Sequence, residues 1–540
     1  AGANFTITRG NNVNACVDAD ANNVCDAASQ PDGTAALDFT GALVPLDLAT
    51  QQPAAYKPAA VVNLFYWNNI MHDVSYQYGF DEPGGNFQVF NYSATGTGND
   101  AVNADAQDGA ELATPTLNNA NFATPPEGSA PRMQMFRWQA PIQVAVSGTL
   151  AANYPGGNAA FGATTYNITG AIELAVDADA TTPNDACCGA GNTVCSDPGW
   201  AAVSGKIAIV RRGICEFGTK AKNMANAGAI GMLLVNNASN GVVSLGAGAN
   251  GASVPATFPT LSLGLANGNA VIAALPGASA TMNSTQAVGP DRDSDIDAGI
   301  IAHEYGHGIS NRLTGGPSNT GCLSNQEQMG EGWSDWQTLF LHAAPADTAT
   351  TQRPIGAYSV FEPSNSPGFI GIRRFPYTTD NAVNTDTYGT VATFPLNPTG
   401  NPIPVHNIGS VWAEMLWEMY WNIVGLDGFD PDVYFGTGGN NVSHQLVIDG
   451  MKLQPCSPGF VDGRNAILAA DVADFDGDHE CAIWTAFAER GLGTNASQGV
   501  STSYTDGTQG FTLPTQCQSN YIFSSSFGHG DLSHWSTSVP

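Results

Sequence analysis

The sequence predicts an α+β protein in which a β-rich N-terminal part and a helical C-terminal part are separated by an inserted α/β block. Three observations carry this. Residues 81–139 alternate short apolar pieces with polar turns. After about 140 the composition shifts to strand–helix–strand segments of small residues. From 291 onward apolar residues recur at helical spacing. The expected segments are 1–139, 140–288, 289–517 and a final stretch, 518–540.

Near the N-terminus, NNVNACVDADANNVCDAA is rich in Asn and Asp and reads as turns and loops. In AVVNLFYWNNIMHDVSYQYGF (60–80), Val61, Leu64, Phe65, Ile70 and Val74 fall at roughly helical spacing, which predicts a helix ending near Gly79. KIAIVRRGICEF reads as a strand and turn, and GTKAKNMANAGAIGMLLVNNASN as a helix followed by a strand. PTLSLGLANGNAVIAAL continues this βαβ-like pattern. DSDIDAGIIAHEYGHGISNRL opens with aspartates that suit the positive end of a helix dipole. QMGEGWSDWQTLFLHAA, NIGSVWAEMLWEMYWNIVG, NAILAADVADF and CAIWTAFAERGLG predict further helices, the last stopping at a glycine. The Ser-rich end, CQSNYIFSSSFGHGDLSHWSTSVP, reads as a linker and the beginning of another β module.

The 540 residues include 17 Lys and Arg against 47 Asp and Glu, a formal net charge of −30. Phosphates and anionic membrane surfaces repel such a chain, so neither nucleic acid nor a membrane is expected as a partner. With 12% charged and 43% hydrophobic residues, the chain is globular rather than an acidic disordered one. Ten scattered cysteines, without a CxxC pair, predict up to five disulfides and an oxidising compartment outside the cytoplasm. Cys16 and Cys25 can close a short loop; the spacing leaves the other pairings open. No apolar run reaches membrane-spanning length. The start, AGANFTITRG, lacks the basic and apolar stretches of a signal peptide and reads as an already processed chain. A secreted monomer is expected.

Two of the nine histidines stand four apart in HEYGH. On an α-helix, positions i and i+4 share a face, so His303 and His307 can share one metal ion. Neutral imidazole is a good zinc ligand. Glu304, beside His303, suits a general base acting on a metal-activated water. Such a match also arises by chance in helices, but the next segment adds to it. GEGWSDW places Glu331 and Asp335 four apart on another predicted helix. Glu331 can be a third ligand, and Asp335 can hold the other ring nitrogen of a ligand histidine. Both could instead be solvated carboxylates. However, Met329, Trp333, Trp336 and Leu339 make the surrounding helix apolar, and a carboxylate there needs a metal or donor partner. Two histidines and one glutamate leave a coordination position open, as in catalytic rather than structural zinc sites. In PVHNIGSVW, His406 opens a helix and is either an oxyanion donor or a helix-start residue. His72 reads as a packed or exposed histidine, and His529 and His534 as tail residues without catalytic work.

With these residues in hand, the chain resembles the fungalysin-like secreted metallopeptidases, within the wider thermolysin-like group. The matching stretches are NLFYWNNIMHDVSYQYGFDEPGGNFQ, NNANFATPPEGSAPRMQM, HEYGHGISNRLTGGP, MGEGWSD, VHNIGSVWAEMLWEMY and AIWTAFAERGLG, covering most of 60–138 and 291–515. The resemblance implies a thermolysin-like catalytic domain of two lobes with the zinc helix between them. It implies His303, His307 and Glu331 as zinc ligands, Glu304 as base, and Asp335 behind the ligands. It further implies that Asn119 and Ala120, in NNANF, align substrate backbone on an edge strand. Arg373, in GIRRFPY, is expected to bond a substrate carbonyl, and His406 to stabilise the oxyanion. One departure is Asn401, where related enzymes often have an aspartate, so what orients His406 is left open. No counterpart stands out for the tyrosine that assists the oxyanion in thermolysin. The inserted block, through GKIAIVRRGICEFGTKAKNMANAGAIGMLLVNN, resembles a protease-associated (PA) domain, which implies a noncatalytic modulator.

The expected function is secreted, zinc-dependent hydrolysis of internal peptide bonds in polypeptide substrates. One rival is a zinc aminopeptidase of the same metal class, which an acidic patch for the substrate amine would favour. The other is a noncatalytic binding protein that retains zinc, which the presence of Glu304 disfavours. Calcium is a further candidate, at DADANNVCD (18–26) and DFDGDHE (474–480), where closely spaced carboxylates offer oxygens; Asp-rich turns also occur without an ion.

Overall fold

The first strand, β1 (Val13–Val17), lies inside the Asn-rich stretch whose composition predicts only turns; four of its five residues are buried. The computed structural model describes residues 5–43, 46–177, 183–189, 191–237, 239–362, 367–395 and 403–518. The helix predicted at 60–80 is α1 (Lys57–Gln77), with a proline in its first turn, where a missing N–H is harmless. Its exit turns at Gly79, whose φ of +93° suits a residue without Cβ. β2 (Val102–Ala106), β3 (Ala120–Ala123) and β4 (Arg132–Met135) complete a sheet of order β1-β2-β4-β3. β1, β2 and β4 run parallel, and β3 is an antiparallel edge strand. β1 is a strand because β2 pairs with it; its local sequence alone favours turns.

After β5 (Arg137–Trp138), residues 142–287 form a closed sheet of seven strands. Its elements are β6 (Ile142–Gly148), β7 (Ala152–Asn158), β8 (Asn167–Leu174), β9 (Ile207–Arg211), α2 (Phe217–Asn226), β10 (Gly231–Val235), β11 (Thr260–Leu263), α3 (Leu265–Ala273) and β12 (Ala278–Ala287). The strand order is β10-β11-β7-β6-β12-β8-β9. The predicted strand–helix–strand is β9-α2-β10, with the two strands parallel. Period-two alternation divides these strands between two cores. Ala208, Val210, Met232 and Leu234 face one, with Trp200 and Met224, while Ile207, Ile209, Leu233 and Val235 face the other, with Val144 and Val271. β13 (Arg292–Asp293) then pairs with β5, so the chain leaves for this block and returns from it at one place.

The remainder is helical: α4 (Ala298–Leu313), α5 (Gly330–His342), α6 (Tyr388–Val391), α7 (Val405–Asp427), α8 (Gly439–Leu453), α9 (Phe460–Phe475) and α10 (Glu480–Glu489). One core joins these helices to the N-terminal sheet and α1. It includes Val13, Val61, Met133, Ile301, Trp333, Trp412 and Phe487, and among the described residues none of its buried members lies between Met135 and Ile300. All ten cysteines pair, as 16–25, 187–215, 188–195, 322–456 and 481–517. Among the described residues no helix is long and apolar enough to cross a membrane. Asn401, His529, His534 and nearly all of the 518–540 segment lie outside the described residues.

Candidate metal centre

The aspartates ahead of HEYGH do what their position suggests. Asp297 caps α4, its carboxylate accepting the N–H groups of Gly299 and Ile300 at 3.1 and 3.3 Å. α4 then buries His303 and Glu304 and half-buries His307. The two imidazole rings stand 4.8 Å apart, at 88° to each other. Gly306 lets α5 come close, since a Cβ there would lie 2.8 Å from Ser334 Cα. Gly332 and Gly409 do the same for α5 and α7; a Cβ on Gly332 would sit 2.4 Å from the Gly409 carbonyl oxygen.

These two crossings gather the predicted residues. Glu331, in the first turn of α5, has Oε2 3.2 Å from His303 Nε2 and Oε1 3.8 Å from His307 Nε2. One donor atom from each of the three residues lies within 4.8 Å of the others. His406, in the first turn of α7, brings Nε2 to 3.4 Å from Glu331 Oε1, with 62% of its side chain exposed. Asp335, one turn along α5 and fully buried, has Oδ1 2.7 Å from His303 Nδ1. Arg373 donates to both oxygens of Asp335, Nε to Oδ2 at 2.6 Å and Nη2 to Oδ1 at 2.7 Å, and its Nη2 lies 3.4 Å from Glu331. Its guanidinium is thus packed behind the ligand set. Asn119 is exposed at the entry to β3, where Ala120 is half-buried. α4 packs on that strand, with Gly308 leaving room for Phe122 and Phe87, and Asn311 reaching Thr124 at 3.2 Å.

Electrostatics favours a cation here. Burial opposes charge on His303, yet Asp335 and Glu331 on its two nitrogens hold its pKa up to about 10. A metal ion held at Nε2 would face Glu331, with Asp335 on the far side of the ring holding Nδ1. His307, without such a partner on both sides, is driven by burial down to about 4 and stays neutral, as a ligand must. Burial would raise Asp335, but the Arg373 guanidinium holds it well below the usual carboxylate range. Among the described residues, Glu304 Oε2 is buried without a hydrogen-bond partner, an expensive position unless something polar is to meet it. Two imidazole nitrogens and one carboxylate oxygen are the donors zinc takes, so the residues fit that ion.

One participant is absent from the sequence reading. Tyr377, fully buried, donates its hydroxyl to Asp335 Oδ2. The signal was present in GIRRFPY, where the last tyrosine follows Arg373 by four residues. Other expected positions resolve simply. His72 is buried between Asp73, 2.9 Å from Nδ1, and Asn86, 3.2 Å from Nε2. Asp18, Asp20 and Asp26 bring carboxylate oxygens within 4.8 Å of one another, while the 474–480 run makes no such group among the described residues.

A helix carrying two histidines, joined by a carboxylate from the next helix, defines the HExxH class of metal centre. Within that class the assignment is specific: residues 1–496 match the Fungalysin metallopeptidase (M36) family, and the chain belongs to it. It is similar to extracellular metalloproteinase MEP of Fusarium vanettenii, 30% identical over 522 residues, covering 95% of this chain and 55% of that protein. It is also similar to extracellular metalloproteinase mep of Aspergillus fumigatus, 31% identical over 460 residues, covering 84% of this chain and 46% of that protein. The chain thus spans about half the length of the curated relatives it matches. Among solved structures, a zinc aminopeptidase from Bacillus subtilis is similar over 29% of this chain and 34% of that one, at 18% identity and a TM-score of 0.20, which bears on neither fold nor function.

Proposed function

We propose that this chain is a secreted zinc endopeptidase that hydrolyses internal peptide bonds of extracellular proteins. The observation that carries the reading is the meeting of His303, His307 and Glu331 beside the unpartnered, buried Oε2 of Glu304. Family membership, relatives named extracellular metalloproteinases and five disulfides support it.

His303, His307 and Glu331 would hold the zinc. When bound, zinc supplies Lewis-acid polarisation of the scissile carbonyl and acidifies water near neutral pH. Glu304 accepts the proton of the attacking water and returns it to the leaving nitrogen. Asp335 keeps the His303 proton on Nδ1 and so presents Nε2 to the metal. His406, at the exposed rim, donates to the oxyanion. Asn119 and Ala120 open an edge strand that can pair with an extended peptide, and Arg373, besides its bonds to Asp335, would bond a substrate carbonyl. In this reading the N-terminal sheet with α1 and the helices after α4 are the two lobes of a thermolysin-like domain. Residues 140–288 are then a noncatalytic PA domain. The enzyme works as a monomer, and Asp18, Asp20 and Asp26 are the candidate calcium ligands.

Glu304→Gln tests the chemistry. The variant is expected to retain stoichiometric zinc and to lose about 10³-fold or more in kcat on casein. Near-normal turnover would show that Glu304 is not the base. Cleavage inside an end-blocked peptide separates an endopeptidase from an aminopeptidase, and no digestion of casein in zinc-loaded protein would leave only a binding role.

A further inference from the structure

Asp335 is held from three sides, and one side has a support of its own. His303 Nδ1 and Arg373 Nη2 meet Oδ1; Arg373 Nε and the Tyr377 hydroxyl meet Oδ2. Tyr377 is not a free ring that happens to reach the carboxylate. Its N–H donates to the Arg353 carbonyl and its carbonyl accepts from the Arg353 N–H, both at 3.0 Å. The next residue, Thr378, is clamped from the opposite side. Its carbonyl accepts from Arg490 Nη2 at 3.1 Å, and its N–H lies 3.4 Å from Glu414 Oε2. Arg490 is itself fixed by Glu414 at 2.9 Å and by the Asn384 carbonyl at 2.6 Å, and both charged residues are fully buried. The segment that carries Tyr377 is therefore wrapped around a buried guanidinium from the end of α10.

From this continuous set of contacts we propose that Tyr377 is a positioning residue for the metal ligand His303, acting through Asp335, with Arg490 and Glu414 as its anchor. The inference rests on the zinc reading above. The physical content is directional. A carboxylate with four donors placed around it in fixed positions cannot rotate, so the Oδ1–Nδ1 vector, and with it the plane of the His303 ring, is set before any ion arrives. Without the hydroxyl, Oδ2 keeps only Arg373, and the carboxylate turns toward the guanidinium and away from His303. Neither Arg490 nor Tyr377 belongs to the group that would hold the ion, so their effect must pass through ligand geometry.

The test is a double-mutant cycle read on metal affinity. Zinc Kd is measured by chelator competition for the wild type, Tyr377→Phe, Asp335→Asn and the double variant, with the visible spectrum of the cobalt(II)-loaded proteins as a reporter of ligand geometry. Tyr377→Phe is expected to weaken zinc by about 10-fold and to shift the cobalt spectrum, whereas in the Asp335→Asn background it changes affinity by less than about twofold. Peptidase assays are expected to show reduced kcat with KM nearly unchanged. An effect of equal size in both backgrounds, or an unaltered Kd and spectrum in Tyr377→Phe, overturns the proposal while leaving the zinc reading intact. A wild type that binds no zinc sinks both. If Tyr377→Phe does not fold, Arg490→Lys, which keeps the buried charge but cannot fork between Thr378 and Glu414, is read in the same cycle, and an unaltered Kd there is equally fatal.

Discussion

At the scale of single residues, the site divides into groups that would hold the ion and groups that fix their positions. His303, His307 and Glu304 were legible from a local pattern, because four residues of helix put two imidazoles on one face whatever the rest of the chain does. Glu331 and Asp335 were legible for the same reason on a second helix. Tyr377 was not, since its hydroxyl meets Asp335 across 42 residues of sequence. His406 stands apart, exposed while His303, Glu304 and Asp335 are buried. On the proposed reading, a donor at the rim would act on the substrate rather than on the ion. His406→Ala is accordingly expected to lower kcat by about 10²-fold with zinc content and KM little changed, in steady-state assays alongside metal analysis. Loss of zinc in that variant would instead make it a ligand.

At the scale of elements, two helix crossings, α4 on α5 and α5 on α7, do the assembly. Gly409 is where α7 meets the turn of α5 that carries Glu331, and a Cβ at 409 would lie 2.4 Å from Glu331 Cβ. Gly409→Ala must push these helices apart. The expected cost is about 1–3 kcal/mol in denaturant unfolding, with weaker zinc binding because Glu331 moves with its helix. A second junction carries a pH signature. His479, at the start of α10, has Nδ1 2.8 Å from Asp471 and Nε2 2.9 Å from Asp427. Burial opposes its charge, but the carboxylates on both sides hold its pKa above the ordinary histidine value. The ion pairs therefore stabilise the fold fully below about pH 6.5, and that contribution fades as pH rises through the elevated folded pKa. Melting curves of wild type and His479→Asn should differ more at about pH 5.5 than at about pH 8.5. A difference independent of pH would mean that the pair is not charged. Most of the long helices were readable from the sequence, as α1 and α4 illustrate, but α8 was not. β1 was not, because an Asn-rich strand is made by the neighbour it pairs with.

At the scale of the whole molecule, one core runs from the N-terminal sheet to the last helix, while 142–287 keeps its own two cores and leaves through the β5–β13 pair. The long disulfide Cys322–Cys456 spans 134 residues and ties the turn after α4 to the turn before α9. Replacing both cysteines by serine is expected to cost about 4–5 kcal/mol, chiefly by freeing the unfolded chain, and to lower the melting temperature without changing kcat of the folded enzyme. A variant as stable as the wild type would mean that the helical core alone holds these turns.

The sequence by itself determined the local chemistry: that α1, α4, α5, α7, α9 and α10 form, which of their faces carry imidazole and carboxylate, and that the cysteines suit an oxidising compartment. Those features depend on neighbours a few residues away, and backbone periodicity transmits them directly. Only the tertiary structure decided that Glu331 meets both histidines, that Arg373 lies behind the ligands, that Tyr377 joins them, and that an Asn-rich stretch becomes a strand. These depend on distances between elements, set by glycines at helix crossings and by buried charges seeking partners, and one-dimensional spacing does not contain such distances.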